Sequence, residues 1–155
     1  VIILASPVYV YHVTGAMKTF LDHYGYRWMV HRPQGSMFRK QGVCISTAAG
    51  AGMKPTNKDM VDSLFFWGVA KRYQYGVRVA AVNWNGVSEK KKCAIDKATS
   101  GIAKKIVNNS KHVKPGIKTR AMFWAMHFAQ RKGFNPCDAE YWKSKGWTGK
   151  KRPWK

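Results

Sequence analysis

Two short segments of the chain hold the residue types best suited to a ligand. The first is Ser6-Pro7-Val8-Tyr9, continued by Tyr11 and His12; the second is Thr47-Ala48-Ala49-Gly50-Ala51-Gly52. Their chemistry is mainly that of the main chain. Pro7 fixes a kinked backbone, and Val8 to Tyr11 follow it with N–H groups that can point at a ligand. Gly50 and Gly52 lack a Cβ, so backbone and ligand can approach closely there. Tyr9 or Tyr11 can stack on a flat ring or edge it. His12 is placed to touch a substrate, Lys18 to neutralise a negative group, and Arg27 and Lys54 to meet a phosphate. Each residue also has an ordinary role open to it: tyrosine packing, a plain glycine turn, a surface histidine, a solvated helix lysine. His23, His31, His112 and His127 show no metal-ligand spacing, and Cys44, Cys93 and Cys137 stand far apart with no C-x-x-C, so no metal is assigned.

The elements around these segments alternate between strand and helix. Val1-Ile2-Ile3-Leu4-Ala5 is a continuous apolar run, as a strand buried on both faces requires, and Ser6-Pro7 ends it. Val13, Met17, Phe20, Leu21, Tyr24 and Trp28 recur at helical spacing, with Thr14 as a cap and Gly25 near the end. Arg32 to Gln41 reads as a loop. Gly42 to Thr47 is the second strand. Thr56 and Asp59 resemble a capping box, and Met60, Val61, Leu64, Phe65 and Ala70 form the next apolar stripe. Val77 to Val82 is the third strand, nearer a sheet edge because Arg78 interrupts it. Ser88 caps a third helix with Ala94, Ile95, Ala98, Ile102, Ala103 and Ile106 inward. Lys114-Pro115-Gly116 is a break, and Ile117, Ala121, Trp124, Ala125 and Phe128 mark a fourth helix. The remainder, Phe134 to Lys155, is rich in aromatics and lysine. Such alternation implies an α/β fold with a parallel sheet between helices. Both ligand-suited segments then fall at the carboxyl ends of adjacent strands, where such sheets bind ligands.

Composition narrows the class. The chain has 155 residues, 45% of them hydrophobic, enough for one domain with a real core. The opening apolar run makes a poor signal peptide, and no apolar stretch approaches the ~18 residues of a membrane span. A cytoplasmic protein with reduced thiols is expected, with no membrane partner. Lys plus Arg is 28 against 7 for Asp plus Glu, a net +21. Such a balance raises a nucleic-acid module as an alternative. The lysines are spread over helix faces and the tail, so non-specific adhesion to polyanions is expected rather than specific recognition.

Ala5-Ser6-Pro7-Val8-Tyr9, then Gly15-Ala16-Met17-Lys18-Thr19-Phe20-Leu21-Asp22, resembles a segment of the NAD(P)H-dependent FMN reductase and iron–sulfur flavoprotein family. The Gly-rich loop at Thr47–Gly52 and the pattern Asn135-Pro136-Cys137-Asp138 with Tyr141-Trp142 and Gly146-Trp147 are similar to that family too. The resemblance implies a flavodoxin-like fold, with this chain supplying strands three, four and five of the order 2-1-3-4-5. Strands one and two and the phosphate-binding loop would lie upstream. Residues 1–112 would form the partial FMN-binding domain, and residues 113–155 an extra helix and tail packed on it or extending from it. The implied cofactor is FMN, with NAD(P)H as co-substrate, and hydride passes onward to a quinone, flavin or similar small acceptor. Ser6, Pro7, Val8, Tyr9, Tyr11, Thr47, Ala48, Ala49, Gly50 and Gly52 would bind the cofactor. His12 and Lys18 would meet substrate. No obligatory acid–base side chain is expected, because placement and electrostatics carry hydride transfer. A homodimer is expected from the family and the aromatic tail. A flavodoxin-type electron carrier is a second alternative, disfavoured by the positive charge.

Overall fold

The computed structural model describes residues 1–133 and 135–155; Phe134, where the expected tail begins, lies outside them. Three parallel strands, β1 (Ile2–Pro7), β2 (Gln41–Ala48) and β3 (Lys71–Arg78), pair in the order β1-β2-β3. That is the side-by-side arrangement expected of strands three, four and five in a flavodoxin-like sheet. The register aligns Leu4 with Cys44 and Cys44 with Gln74. Because side chains alternate, Leu4 and Cys44 share one face with Ser6 and Ser46.

Helices α1 (Gly15–His23) and α2 (Met53–Phe66) cover that face. Val13, Leu21, Met60, Leu64 and Trp67 close over Leu4 and Cys44 to make the first core. Burial there pushes the Cys44 thiol up to about 12. Thr14 caps α1 as expected, its hydroxyl accepting the Met17 N–H at 3.2 Å. α3 (Glu89–Asn109) lies on the opposite face. Gln41 donates to the Ile106 carbonyl at 2.8 Å, and Asn109 donates to the Tyr73 hydroxyl at 3.3 Å.

Several expected details are corrected. The third strand lies at Lys71–Arg78, not Val77–Val82. Its half-buried Tyr73, Tyr75 and Val77 alternate with exposed Gln74, Gly76 and Arg78, the period of an edge strand rather than an apolar run. β1 is not buried on both faces; Leu4 and Ser6 are covered while Ile3 is 65% exposed. α2 begins three residues before the supposed capping box. Thr56 lies inside the helix, donating to the Gly52 carbonyl at 2.9 Å, and Asp59 turns to the β1 loop instead. Ala94 and Ala103 face outward, and no residue of α3 is fully buried.

The last third of the chain builds a second core. α4 (Ile117–Arg131) buries Thr119, Phe123, His127 and Gln130, not the expected stripe; Ile117 is 86% exposed. α5 (Pro136–Ser144), which the sequence reading left within the tail, starts at Asn135, whose side chain accepts the Cys137 and Asp138 N–H groups. Pro136 at the first turn suits this start. Trp142 and Trp147 then pack with Phe123 against Met29 and Phe38. The tail tryptophans are therefore interior groups, which removes the exposed-aromatic reason for a dimer. Among the described residues, no helix is long and apolar enough to cross a membrane.

Candidate functional site

The chain leaving β1 makes a tight hairpin. Val8 N–H donates to the Thr47 carbonyl at 2.8 Å, extending the β1–β2 pairing by one step. Tyr9 and His12 exchange backbone bonds of 3.0 Å in each direction. Between them Val10 has φ 49° and Tyr11 has φ 66°. Two left-handed central residues are the pattern of a type I′ turn, which ordinarily takes Asn-Gly. A β-branched residue there is strained by roughly 1–3 kcal/mol.

Contacts to α2 and β1 hold the strained turn in place. Asp59 accepts from His12 Nδ1 at 2.9 Å and from the Val13 N–H at 3.4 Å. The Thr56 hydroxyl, whose proton goes mainly to the Gly52 carbonyl, also lies 3.4 Å from the Tyr11 carbonyl. Ser6 Oγ accepts the Thr14 N–H at 3.1 Å and donates to the Pro7 carbonyl at 2.9 Å. Asp59 sits 47 positions from His12, so no local motif announces it.

The Ala48–Gly52 turn lies against this hairpin. Gly52 has φ 98°, and a Cβ there would stand 2.6 Å from Val8 Cγ1 and 3.2 Å from Tyr11 Cα. Its missing side chain thus serves the contact between the two turns. A Cβ on Gly50, by contrast, would meet nothing within 4 Å. The N–H groups of Val8 and Tyr9 are used within the fold. Those of Val10, Tyr11, Ala49, Gly50 and Ala51 donate to no backbone carbonyl among the described residues. Both turns therefore present free main-chain donors at the carboxyl end of the sheet.

Beside them opens a crevice of about 580 Å³. Six of the expected residues line it: Pro7, Val8, Tyr9, Thr47, Ala48 and Ala49. Its floor is Ile45 and Tyr75, and α3 contributes Ile95 and Thr99. The remaining wall is a third loop, carrying Val82, Asn83 and Trp84, which sequence reasoning missed. The signal was there: Asn83-Trp84-Asn85-Gly86 is a turn-forming run directly after apolar residues. Asn83 Oδ1 accepts the Gly86 N–H at 3.0 Å and shapes that turn. Exposed rings of Tyr9 and Trp84 flank the opening.

Other expected residues stand apart. Ser6 is buried on the helix-covered face with its hydroxyl engaged, and Tyr11, Gly50 and Gly52 are not among the lining residues. His12 and Lys18 line a neighbouring hollow with Asp22, Asp59 and Asp62. Lys18 pairs with Asp22, so its charge is already compensated. Arg27 lies at the opposite end of the sheet, beside Ile2, and cannot meet a phosphate at this crevice.

The crevice suits a flat group: apolar floor, aromatic flanks and unpaired backbone donors nearby. Residues 1–81, which include β1 to β3 and both turns, match the family model of the NADPH-dependent FMN reductases. The chain belongs to that family. FMN reductases of this kind use FMN with NAD(P)H as electron donor. A comparison with curated proteins found no match. An isoalloxazine ring, with apolar faces and a polar rim, fits the donor set and the shape of the crevice. The match stops at Ala81, so the Asn83–Trp84 wall of this family member lies just outside it.

Proposed function

We propose that the chain binds FMN in the crevice between Tyr9, Ala48 and Trp84 and serves a flavin-dependent NAD(P)H oxidoreductase acting on a quinone, flavin or similar small acceptor. The observation that carries this is the meeting of the two turns. Residues some forty positions apart converge at one sheet end, joined by the Val8–Thr47 bond of 2.8 Å. FMN held there would supply a hydride acceptor for the reduced nicotinamide and a reductant for the second substrate.

The chain's own part is placement. Pro7 and Val8 offer a fixed main-chain edge, and Thr47 to Ala49 a second one. Tyr9 and Trp84 cover the ring and keep water from it. The space above Gly50 lets backbone donors approach the flavin rim. His12, held by Asp59, stands near enough to the hairpin to contact an acceptor. A homodimer in a reducing, cytoplasmic compartment fits the family and the three free cysteines.

Titration of FMN into the protein at its full natural length tests the proposal. Saturable quenching of flavin fluorescence is expected, and Trp84→Ala, which removes an exposed ring from the crevice mouth, should weaken binding at least tenfold with an unchanged melting temperature. A full-length protein that purifies colourless and leaves FMN fluorescence unquenched would overturn it.

A further inference from the structure

A second hollow, of about 400 Å³, lies at the other end of β1. Ile2 at the start of the strand borders it, whereas Pro7 and Val8 border the flavin crevice. Five strand steps from Ile2 to Pro7 separate the two by about 17 Å, so they are distinct sites.

We propose that this hollow binds a flat aryl carboxylate. Its walls are aromatic: Phe20 and Tyr24 from the end of α1, Tyr26 just beyond, and Trp67 from the end of α2. The rings brace one another. Phe20 and Tyr24 have centroids 5.2 Å apart, and Trp67 meets Tyr24 edge-on at 6.0 Å. Trp67 Nε1–H donates to the Tyr24 carbonyl at 3.1 Å, which fixes the indole. Yet Phe20, Tyr24 and Tyr26 are each 40–43% exposed, side by side on one concave surface. A volume of this size takes a small-molecule ligand.

The rim sets the sign of the ligand. Arg27 lies 4.7 Å over the Tyr26 ring. Its hydrogen bonds go to uncharged groups, the Arg32 carbonyl at 3.4 Å and the Tyr141 hydroxyl. Among the described residues no carboxylate pairs with it; neighbouring Arg32 takes Asp138 instead. An unmatched guanidinium beside apolar walls favours a planar anion that accepts two parallel N–H bonds. One cation matches one negative charge, hence a carboxylate rather than a phosphate dianion. Gln34 adds an amide for a ring hydroxyl or keto group. The hollow holding Asp22, Asp59 and Asp62 has the opposite sign and would repel the same ligand.

The probe is 1-naphthoate, added to the full-length protein and followed by ¹H–¹⁵N NMR at the Trp67 indole N–H. A saturable shift is expected at Trp67 and none at the Trp84 indole of the flavin crevice. Arg27→Gln should weaken naphthoate at least tenfold while melting temperature and FMN affinity stay unchanged. The uncharged 1-naphthalenemethanol should bind at least tenfold more weakly. The proposal falls if Trp67 does not shift, if the neutral compound binds equally well, or if the shifts fall at Trp84. It also falls if the Trp67 signal moves with protein concentration alone, because another copy then covers the hollow.

Discussion

Val10 and Tyr11 adopt left-handed backbone that Asn and Gly take at little cost. Val10 is 93% exposed, so packing of its side chain does not offset the strain. The contacts from Thr56 and Asp59 do, together with the Tyr9–His12 pair. Replacing Val10-Tyr11 by Asn-Gly should therefore stabilise the protein, by roughly 1–2 kcal/mol in urea denaturation. If Tyr11 or its neighbours touch flavin, the same variant loses FMN affinity, which separates strain from function. Cys44 yields a second expectation. Its thiol is raised from 9.0 to about 12 by burial, so the folded protein holds that proton where the unfolded chain releases it. Stability from this group is intact below pH 9 and falls as pH rises toward about 12. At pH 8 a thiol reagent should modify exposed Cys93 and Cys137 in the native protein, and Cys44 only after unfolding.

α5 shows how a short helix anchors a tail. Trp142 is fully buried and donates from Nε1 to the His31 carbonyl at 2.6 Å. Asp138, also buried, holds His31 and Arg32 at 2.8 and 3.3 Å. Trp142→Ala should cost about 3–5 kcal/mol, measured by denaturant midpoint, by opening a cavity and leaving that carbonyl unpaired. The same element marks where the sequence was legible and where it was not. Both ligand-side turns could be read, because small residues ended apolar runs. α1 could be read from its cap and its period. The third strand could not, because an edge strand carries polar residues between half-buried tyrosines and lacks an apolar run. The phase of α4 was misread because Phe123 and Trp124 offer an aromatic to either face, and only tertiary packing chooses between them. The Asn83–Trp84 turn was legible as a turn, but its place beside the crevice, like the bond of Asp59 to His12, depends on contacts between distant positions that no local pattern encodes.

Across the whole molecule, 28 basic residues face 7 acidic ones. Asp22, Asp62, Glu89 and Asp138 already sit in ion pairs with Lys or Arg and Asp59 is bonded to His12, so few carboxylates remain to balance the excess. Weak binding to heparin or mixed-sequence DNA is expected at low salt. It should decline linearly on a log–log plot against salt, with no sequence preference in filter binding. A marked preference for one duplex would point to a recognition role instead. The half-buried seating of α3 bears on the proposed FMN crevice. This helix supplies one wall, yet buries no side chain completely, while β2 beneath it is gripped from both sides. The wall can shift outward without unzipping the sheet. The width of the proposed FMN crevice is therefore set by a helix seated on the sheet through partly buried contacts, not by the strands themselves.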